Sequence, residues 1–454
     1  MMKKIYKAGL IGNPVGHSVS PFIHSLFYTA SNIEGEYRLF EPEKDELEKQ
    51  KDFFLKEGYR GFNVTIPYKS DIVSFCDNLD EFAKKLGAVN TVKIQDGKLI
   101  GYNTDFYGLK MAVTEKNINV KGKKCVLFGA GGAARSAGAV LVNMGAEKVY
   151  IFNRTFEHGK ELAEVINDVF GCEVCEAVES QDALMKALSN GGNESEKYIA
   201  LQATSIGLKG EQAIISDDDF YKNLEAAIDI VPMESTDFLD RAAKEGAVTL
   251  NGFSMLFYQA VKAFEIFNDV TVDKDKCEKA YAAFLNTKGI AFVGFMGAGK
   301  STAGLAFSKK VNFPFAEMDL LISEKEGMSI PGIFDKHGEE YFRSVETKVL
   351  LSLAKDRQRN VVSCGGGICG KPENIDILKN HFFTVYLKND FETLYSRITG
   401  DANRPLTKKS KEELFLLFQN REKAYEECAD VVIEANGKTV EEIIKMTLVS
   451  LLSI

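Results

Sequence analysis

Val126-Leu127-Phe128-Gly129-Ala130-Gly131-Gly132-Ala133-Ala134-Arg135 decides how the first half of this chain folds. An apolar run meets a glycine cluster and passes straight into an alanine-rich segment, which predicts strand, tight turn and helix in that order. Small residues at such a turn let backbone N–H groups and the helix N-terminus approach a pyrophosphate, so Gly129, Ala130, Gly131 and Gly132 are candidate dinucleotide contacts. The next strand ends in Asn153-Arg154-Thr155. An acid there would bind the ribose hydroxyls of NAD, whereas an arginine meets a 2′-phosphate, so NADP(H) is the expected coenzyme.

A second turn, Gly294-Phe295-Met296-Gly297-Ala298-Gly299-Lys300-Ser301-Thr302, fits G-x-x-x-x-G-K-[ST] between a strand and a helix. Its amides, from Gly297 through Ala298 and Gly299 to Thr302, suit an anion nest. Lys300 can reach the β- and γ-phosphates and the Ser301 hydroxyl can ligate Mg²⁺, so ATP with Mg²⁺ is expected.

Outward from these turns, short apolar runs alternate with helical patterns. Ala8–Ile11, Gly61–Ile66, Cys125–Phe128, Val149–Phe152, Ile199–Ala203 and Ala227–Val231 read as strands, and the alternation predicts an α/β fold. A helical stretch ends near Thr287 and Gly289 opens a new strand, so a short, stiff joint is expected between Leu285 and Gly289. The length, 454 residues, corresponds to roughly three domains at about 150 residues each. Lys plus Arg number 56 and Asp plus Glu 65, a net charge of −9 that argues against a broad nucleic-acid surface. Apolar stretches such as Gly138–Met144 and Ile290–Met296 are too short to span a membrane. The basic start reaches Gly12-Asn13-Pro14 without a signal-type apolar core, so a cytoplasmic protein is expected. Eight cysteines are too sparse for a disulfide scaffold; Cys172 and Cys175, on an expected strand, would point to opposite faces and have no second pair for zinc.

The first half also gathers hydroxyls and amides at strand ends. His17-Ser18-Val19-Ser20-Pro21 places Ser20 as N-cap and Pro21 at the first helical position, and the capping role leaves Ser18 unexplained. Asn63-Val64-Thr65-Ile66-Pro67-Tyr68-Lys69, Asn90-Thr91 and Gly101-Tyr102-Asn103-Thr104-Asp105 follow the same pattern. With Gly-x-x-Met-Leu-x-x-Gln at 252–259, these motifs resemble the shikimate dehydrogenases over residues 1 to about 285. The resemblance implies a substrate domain over 1–106 plus 240–287 and a Rossmann-like NADP domain over 107–239. It implies that Ser18, Ser20, Asn63, Thr65, Asn90, Asp105 and Gln259 line a shikimate site, with Lys69 and Asp105 as the catalytic pair. A lysine held by a carboxylate can donate a hydrogen bond and then a proton to the oxygen of a ketone being reduced. Three departures stand out: Pro232 where the family usually has Tyr, with the following segment one residue short; His158 where a second Arg is common; and Gln202 where Asn is usual.

The second half is similar to shikimate kinase over about 288–454, a P-loop α/β domain. The residues that carry the similarity are the P-loop itself, Glu317-Met318-Asp319, Phe342-Arg343, Gly365-Gly366-Gly367 and Arg421. The resemblance implies that Asp319, Arg343, Gly365, Gly366, Gly367 and Arg421 bind shikimate. Arg397 would then lie by the adenine and Arg404, in a lysine-flanked segment, would close a lid over the phosphates. Glu317 stands where Asp is common, and Lys423 where Pro is usual.

Together these readings lead to the expectation of one bifunctional enzyme, acting on 3-dehydroshikimate with NADPH and on shikimate with ATP, and compatible with a homo-oligomer. Two alternatives stay open: an NAD-dependent quinate or shikimate dehydrogenase, or a silent shikimate-binding first half attached to an active kinase.

Overall fold

The computed structural model describes residues 5–189, 197–356, 358–399 and 410–454. The expected lid residue Arg404 lies outside the described residues. The chain packs as two compact units. The two-sheet unit comprises residues 6–15 and 38–271; the P-loop unit comprises 1–5, 16–37 and 272–454. Among the described residues no helix is long and apolar enough to cross a membrane.

The first sheet of the two-sheet unit is built from β1 (Tyr6–Ile11), β2 (Gly35–Phe40, of which Arg38–Phe40 belongs to this unit), β3 (Gly61–Val64), β4 (Asn78–Leu79), β5 (Thr91–Gln95) and β6 (Lys98–Tyr102). Its order is β2-β1-β3-β5-β6-β4, with β1 and β3 parallel and β5 antiparallel to both of its neighbours. The second sheet contains β7 (Lys124–Phe128), β8 (Lys148–Phe152), β9 (Cys175–Val178), β10 (Tyr198–Gln202), β11 (Leu224–Asp229) and β12 (Val248–Leu250) in the order β12-β11-β10-β7-β8-β9. Its pairs are all parallel. Alternation along β7 explains its continuous apolar run: Cys125 and Leu127 enter one core with Val149, Ile151, Ile199 and Leu201, while Val126 and Phe128 enter the other with Tyr150 and Ala200. Cys125 acts there as a small hydrophobe, its thiol pushed up to about 12 by burial.

The P-loop unit carries the third sheet, in which β13 (Ile290–Val293), β14 (Phe315–Glu317), β15 (Val361–Ser363), β16 (Phe383–Lys388) and β17 (Val431–Glu434) run parallel in the order β14-β15-β13-β16-β17. The helix Ser20–Ala30 belongs to this unit, as does Lys274–Asn286.

Four local expectations are corrected. The strand expected over Gly61–Ile66 stops at Val64, because Thr65 begins a turn in which Tyr68 N donates to Thr65 O. The strand expected over Ala227–Val231 runs instead from Leu224 to Asp229. Val19, not Ser20, is the N-cap of its helix; Ser20 is the first helical residue, with Pro21 in the first turn. Cys172 lies in the turn before β9, its thiol toward Asn167 Oδ1 at 3.8 Å.

Candidate active sites

In the two-sheet unit, the ends of β3, β5 and β6 bring three of the polar motifs together. Lys69 Nζ donates to Asp105 Oδ2 at 2.6 Å, and both side chains are mostly covered, 20% and 11% exposed. Asp105 sits in the first turn of the helix Thr104–Glu115, whose N-cap Asn103 accepts from Phe106 N. The other Asp105 oxygen accepts from Asn90 Nδ2 at 2.9 Å, and Asn90 Oδ1 accepts from Thr104 N at 2.7 Å. Asn63 donates to Thr91 Oγ1 at 2.9 Å and to the Asn90 carbonyl at 3.2 Å. Gln259 completes the cluster from the helix Gly252–Asn268, 3.4 Å from the Thr104 hydroxyl that donates to it. Gly108 allows that approach, since a Cβ there would lie 2.6 Å from Met255 O and 2.7 Å from Gln259 N. Thr65 closes the adjoining turn, its N–H bonded to Ile11 O at 2.9 Å.

Gly129 follows β7 with φ +108°, a left-handed conformation that admits little but glycine, and a Cβ would meet Thr204 and Ala203. Gly131 is the N-cap of the helix Gly132–Asn143, and a Cβ on Gly131 or Gly132 would meet nothing within 4 Å. Open space before a helix N-terminus fits a pyrophosphate. Asn153 donates to Thr155 O at 2.9 Å, and Arg154 is exposed with no ion-pair partner among the described residues. Ser136, on the same helix, donates to Asn103 Oδ1 at 3.3 Å, joining this turn to the Asn90–Asp105 cluster.

The shortened segment after β11 is locally satisfied around Pro232, which is exposed. Buried Asp229 accepts from Val231 N at 2.9 Å and from the Thr236 hydroxyl at 2.8 Å. Burial raises its carboxyl to about 6 despite those bonds. Gln202, beside it on β10, donates to Ile206 O at 3.1 Å and accepts from Thr204 Oγ1 at 2.9 Å.

In the P-loop unit, Ser18 and Ser20 lie at the start of the helix Ser20–Ala30, the Ser18 hydroxyl donating to Ser20 Oγ at 3.1 Å. The P-loop curls between β13 and the helix Lys300–Val311, with left-handed or extended positive φ at Gly294, Gly297 and Gly299. Lys300 Nζ donates to the carbonyls of Gly294 and Phe295, each at 3.0 Å. Beside the loop a cavity of about 470 Å³ is lined by Lys300, Ser301, Thr302, Glu317, Asp319, Arg343, Glu346, Gly365–Gly367 and Arg421. A Cβ on Gly299 would meet nothing within 4 Å, which leaves room for phosphate oxygens. Ser301 Oγ lies 3.3 Å from Ser363 Oγ, and Arg397 donates to Gly297 O at 3.1 Å. Arg421 donates to Gly366 O at 3.0 Å, and Tyr425 on the same helix donates to that carbonyl as well. Gly367 lies under Arg343: a Cβ would fall 2.3 Å from its Nη2.

Glu346 is the cavity residue that motif reading left without a role. It is fully buried and accepts from Arg343 Nη1 at 2.7 Å, fixing the guanidinium against the glycines. Burial holds its carboxyl above the usual range, outweighing the Arg343 charge, and its Oε1 has no hydrogen-bond partner among the described residues. The available signal was its i,i+3 spacing from Arg343 on one helix.

Fold and sites therefore define a two-nucleotide α/β protein, with a dinucleotide-type turn in one unit and a P-loop in the other. The family model for the shikimate dehydrogenase substrate binding domain matches residues 10–92, that for shikimate / quinate 5-dehydrogenase matches 111–190, and that for shikimate kinase matches 296–451. The shikimate dehydrogenase (NADP(+)) of Nitrosopumilus maritimus is 36% identical over 273 residues, 60% of this chain and 96% of the relative. The Aquifex aeolicus shikimate dehydrogenase structure is 33% identical with a TM-score of 0.54, covering 62% of this chain and 99% of that one. A quinate dehydrogenase from Corynebacterium glutamicum in complex with NAD is 28% identical with a TM-score of 0.56, over 62% of this chain and 99% of that one. The chain belongs to the shikimate dehydrogenase family and carries a shikimate kinase domain fused behind it.

Proposed function

We propose that the chain reduces 3-dehydroshikimate to shikimate with NADPH in its first half and phosphorylates shikimate with ATP in its second. The observation that carries the reading is the Lys69–Asp105 pair at 2.6 Å, held by buried amides, on the same chain as a P-loop cavity lined by Asp319, Arg343 and Arg421. In the dehydrogenase, Ser18, Ser20, Asn63, Thr65, Asn90 and Gln259 bind the hydroxyls and carboxylate of the substrate. Lys69 donates a hydrogen bond and then its proton to the substrate oxygen, while Asp105 keeps it oriented. Gly129–Gly132 cradle the pyrophosphate of NADP(H), and Asn153, Arg154 and Thr155 take its 2′-phosphate side; when bound, the nicotinamide supplies the hydride.

In the kinase, Gly297–Thr302 hold the nucleotide phosphates, Ser301 ligates Mg²⁺, Arg397 lies by the adenine and Arg404 serves the lid; ATP supplies the phosphoryl group. Lys300 neutralises charge developing on the phosphates, and Asp319 orients the attacking hydroxyl and accepts its proton. Arg343, Arg421 and the bare backbone of Gly365–Gly367 hold shikimate. We further assign the domain limits 1–106 plus 240–287, 107–239 and 288–454 to substrate, coenzyme and kinase functions, and the cytoplasm as the site of action.

The test is NADP reduction at 340 nm with shikimate and no ATP, beside ATP-dependent phosphorylation of shikimate by the same preparation. Both activities are expected. Phosphorylation without reduction by either coenzyme would make the first half a silent binding module. The likeness to a quinate dehydrogenase in complex with NAD, with His158 in place of a second arginine, supports a second reading. A kcat/KM higher for NAD and quinate than for NADP and shikimate would establish it.

A further inference from the structure

Glycine has no side chain to hold its peptide plane, so Gly365-Gly366-Gly367, which lines the P-loop cavity, must be fixed by its neighbours. Gly365 O accepts from Ile368 N at 3.1 Å and Gly367 O from Gly370 N at 2.9 Å, both within the local turn. The middle carbonyl is held by another element. Gly366 O accepts from Arg421 Nη1 at 3.0 Å and from the Tyr425 hydroxyl, two residues one turn apart on the helix Lys411–Cys428. Arg421 lines the cavity, whereas Tyr425 is fully buried outside its lining, its ring 5.2 Å from that of Tyr386 on β16. Burial pushes the phenol up against the opposing Arg421 charge, so it keeps its proton and donates. At the end of the same helix Cys428 Sγ lies 3.0 Å from Cys369 Sγ, which docks the helix on the segment that follows the glycines.

We propose that Tyr425 is a positioning residue for the kinase reaction: by holding the Gly366 carbonyl it sets where Arg421 presents its guanidinium to the carboxylate of shikimate. The inference rests on the reading of Arg421 as a shikimate ligand. A guanidinium carries five N–H donors, so the bond to Gly366 O leaves others for a bidentate contact with a carboxylate. That contact demands a fixed fork, and a carbonyl with one donor fewer is free to swing with the glycines that carry it. Lys300 is held instead by the carbonyls of Gly294 and Phe295, so the phosphate side of the cavity does not depend on the phenol.

The experiment uses the full-length chain with Tyr425→Phe, which keeps the ring against Tyr386 and deletes one hydrogen bond. KM for shikimate in phosphorylation should rise about tenfold, with kcat and KM for ATP at parental values, because uniform loosening of binding acts on KM. Arg421→Lys tests the route. Its ammonium cannot reproduce the planar fork, so KM for shikimate should rise on that change alone, and adding Tyr425→Phe to it should raise KM by no more than about twofold further. A lowered kcat with KM unmoved, an equal rise in KM for ATP, or a variant that no longer phosphorylates marks a structural role and overturns the proposal. So does an unchanged KM for shikimate in Tyr425→Phe, or full multiplication of the two effects in the double variant. The single changes separate the failures. If Arg421→Lys raises KM for shikimate and Tyr425→Phe does not, this inference alone fails; if Arg421→Lys also leaves KM unchanged, or if the parent phosphorylates no shikimate, the reading beneath it fails and takes the inference with it.

Discussion

Around Lys69 the surrounding groups are neutral amides and hydroxyls bonded to one another through Asn63, Asn90, Thr91 and Thr104, with Asp105 its single charged partner among the described residues. Around Lys300 the cavity is lined by Asp319, Arg343, Glu346 and Arg421, and the glycines beside them let charged side chains approach the backbone directly. The first arrangement suits a polyol whose reacting oxygen needs one proton. The second suits a reaction in which several negative charges must be held and moved, where preorganised cations contribute most. A second contrast lies in the glycines: Gly131 and Gly132 face open space for a ligand, whereas Gly367 is filled by the protein's own Arg343.

The comparison breaks first at the lysines. Lys69→Ala should lower reduction at least about a thousandfold and leave phosphorylation at the parental rate, and Lys300→Ala should do the reverse. Loss of both activities from either change, in steady-state assays of each, would refute two autonomous sites. Next come the glycines. Gly367→Ala should raise the kinase KM for shikimate about a hundredfold by displacing Arg343, while Gly131→Ala should leave the thermal midpoint unchanged and raise only the KM for NADP. Equal destabilisation by both substitutions would erase the distinction.

A smaller effect belongs to Asp229. With its folded carboxyl near 6 against an ordinary 3.8, the folded chain retains a proton that the unfolded chain releases between those values. Stability from this group is present at low pH and falls as pH rises through about 4 to 6. Asp229→Asn should remove that slope, worth roughly 2 kcal/mol, so the thermal midpoint of the parent relative to the variant should climb as pH is lowered from 7 to 4. A constant difference would contradict it. The smallest expected change is Arg154→Ala, about tenfold in KM for NADP with KM for NAD unaltered, which sharpens the coenzyme contrast. Equal shifts for both coenzymes would place Arg154 away from the 2′-phosphate.

Much of both sites was legible because their signals are local. A glycine with positive φ, such as Gly129 or Gly299, or a lysine one residue after a glycine in a P-loop, is dictated by the backbone within a few residues. Asn63, Asn90 and Asp105 were readable as polar residues at strand ends, though their mutual bonds were not. Strand limits shifted where a turn competed with the ladder, as at Thr65, and the cap moved from Ser20 to Val19 because neither side chain makes the capping bond. Glu346 stayed hidden because its importance lies in being fully buried against Arg343, which charge and spacing alone do not announce.

By itself the sequence determined the α/β class, the two nucleotide-type turns, their order along the chain and the residue types each site would carry. These follow from backbone sterics and hydrophobic period, which act over a few residues. Packing across the chain decided that Asp105 faces Lys69, that Glu346 locks Arg343 against Gly367, and that the helix Ser20–Ala30 packs within the P-loop unit. Those outcomes depend on which distant surfaces exclude water together, and burial is a property of the packed chain rather than of any segment within it.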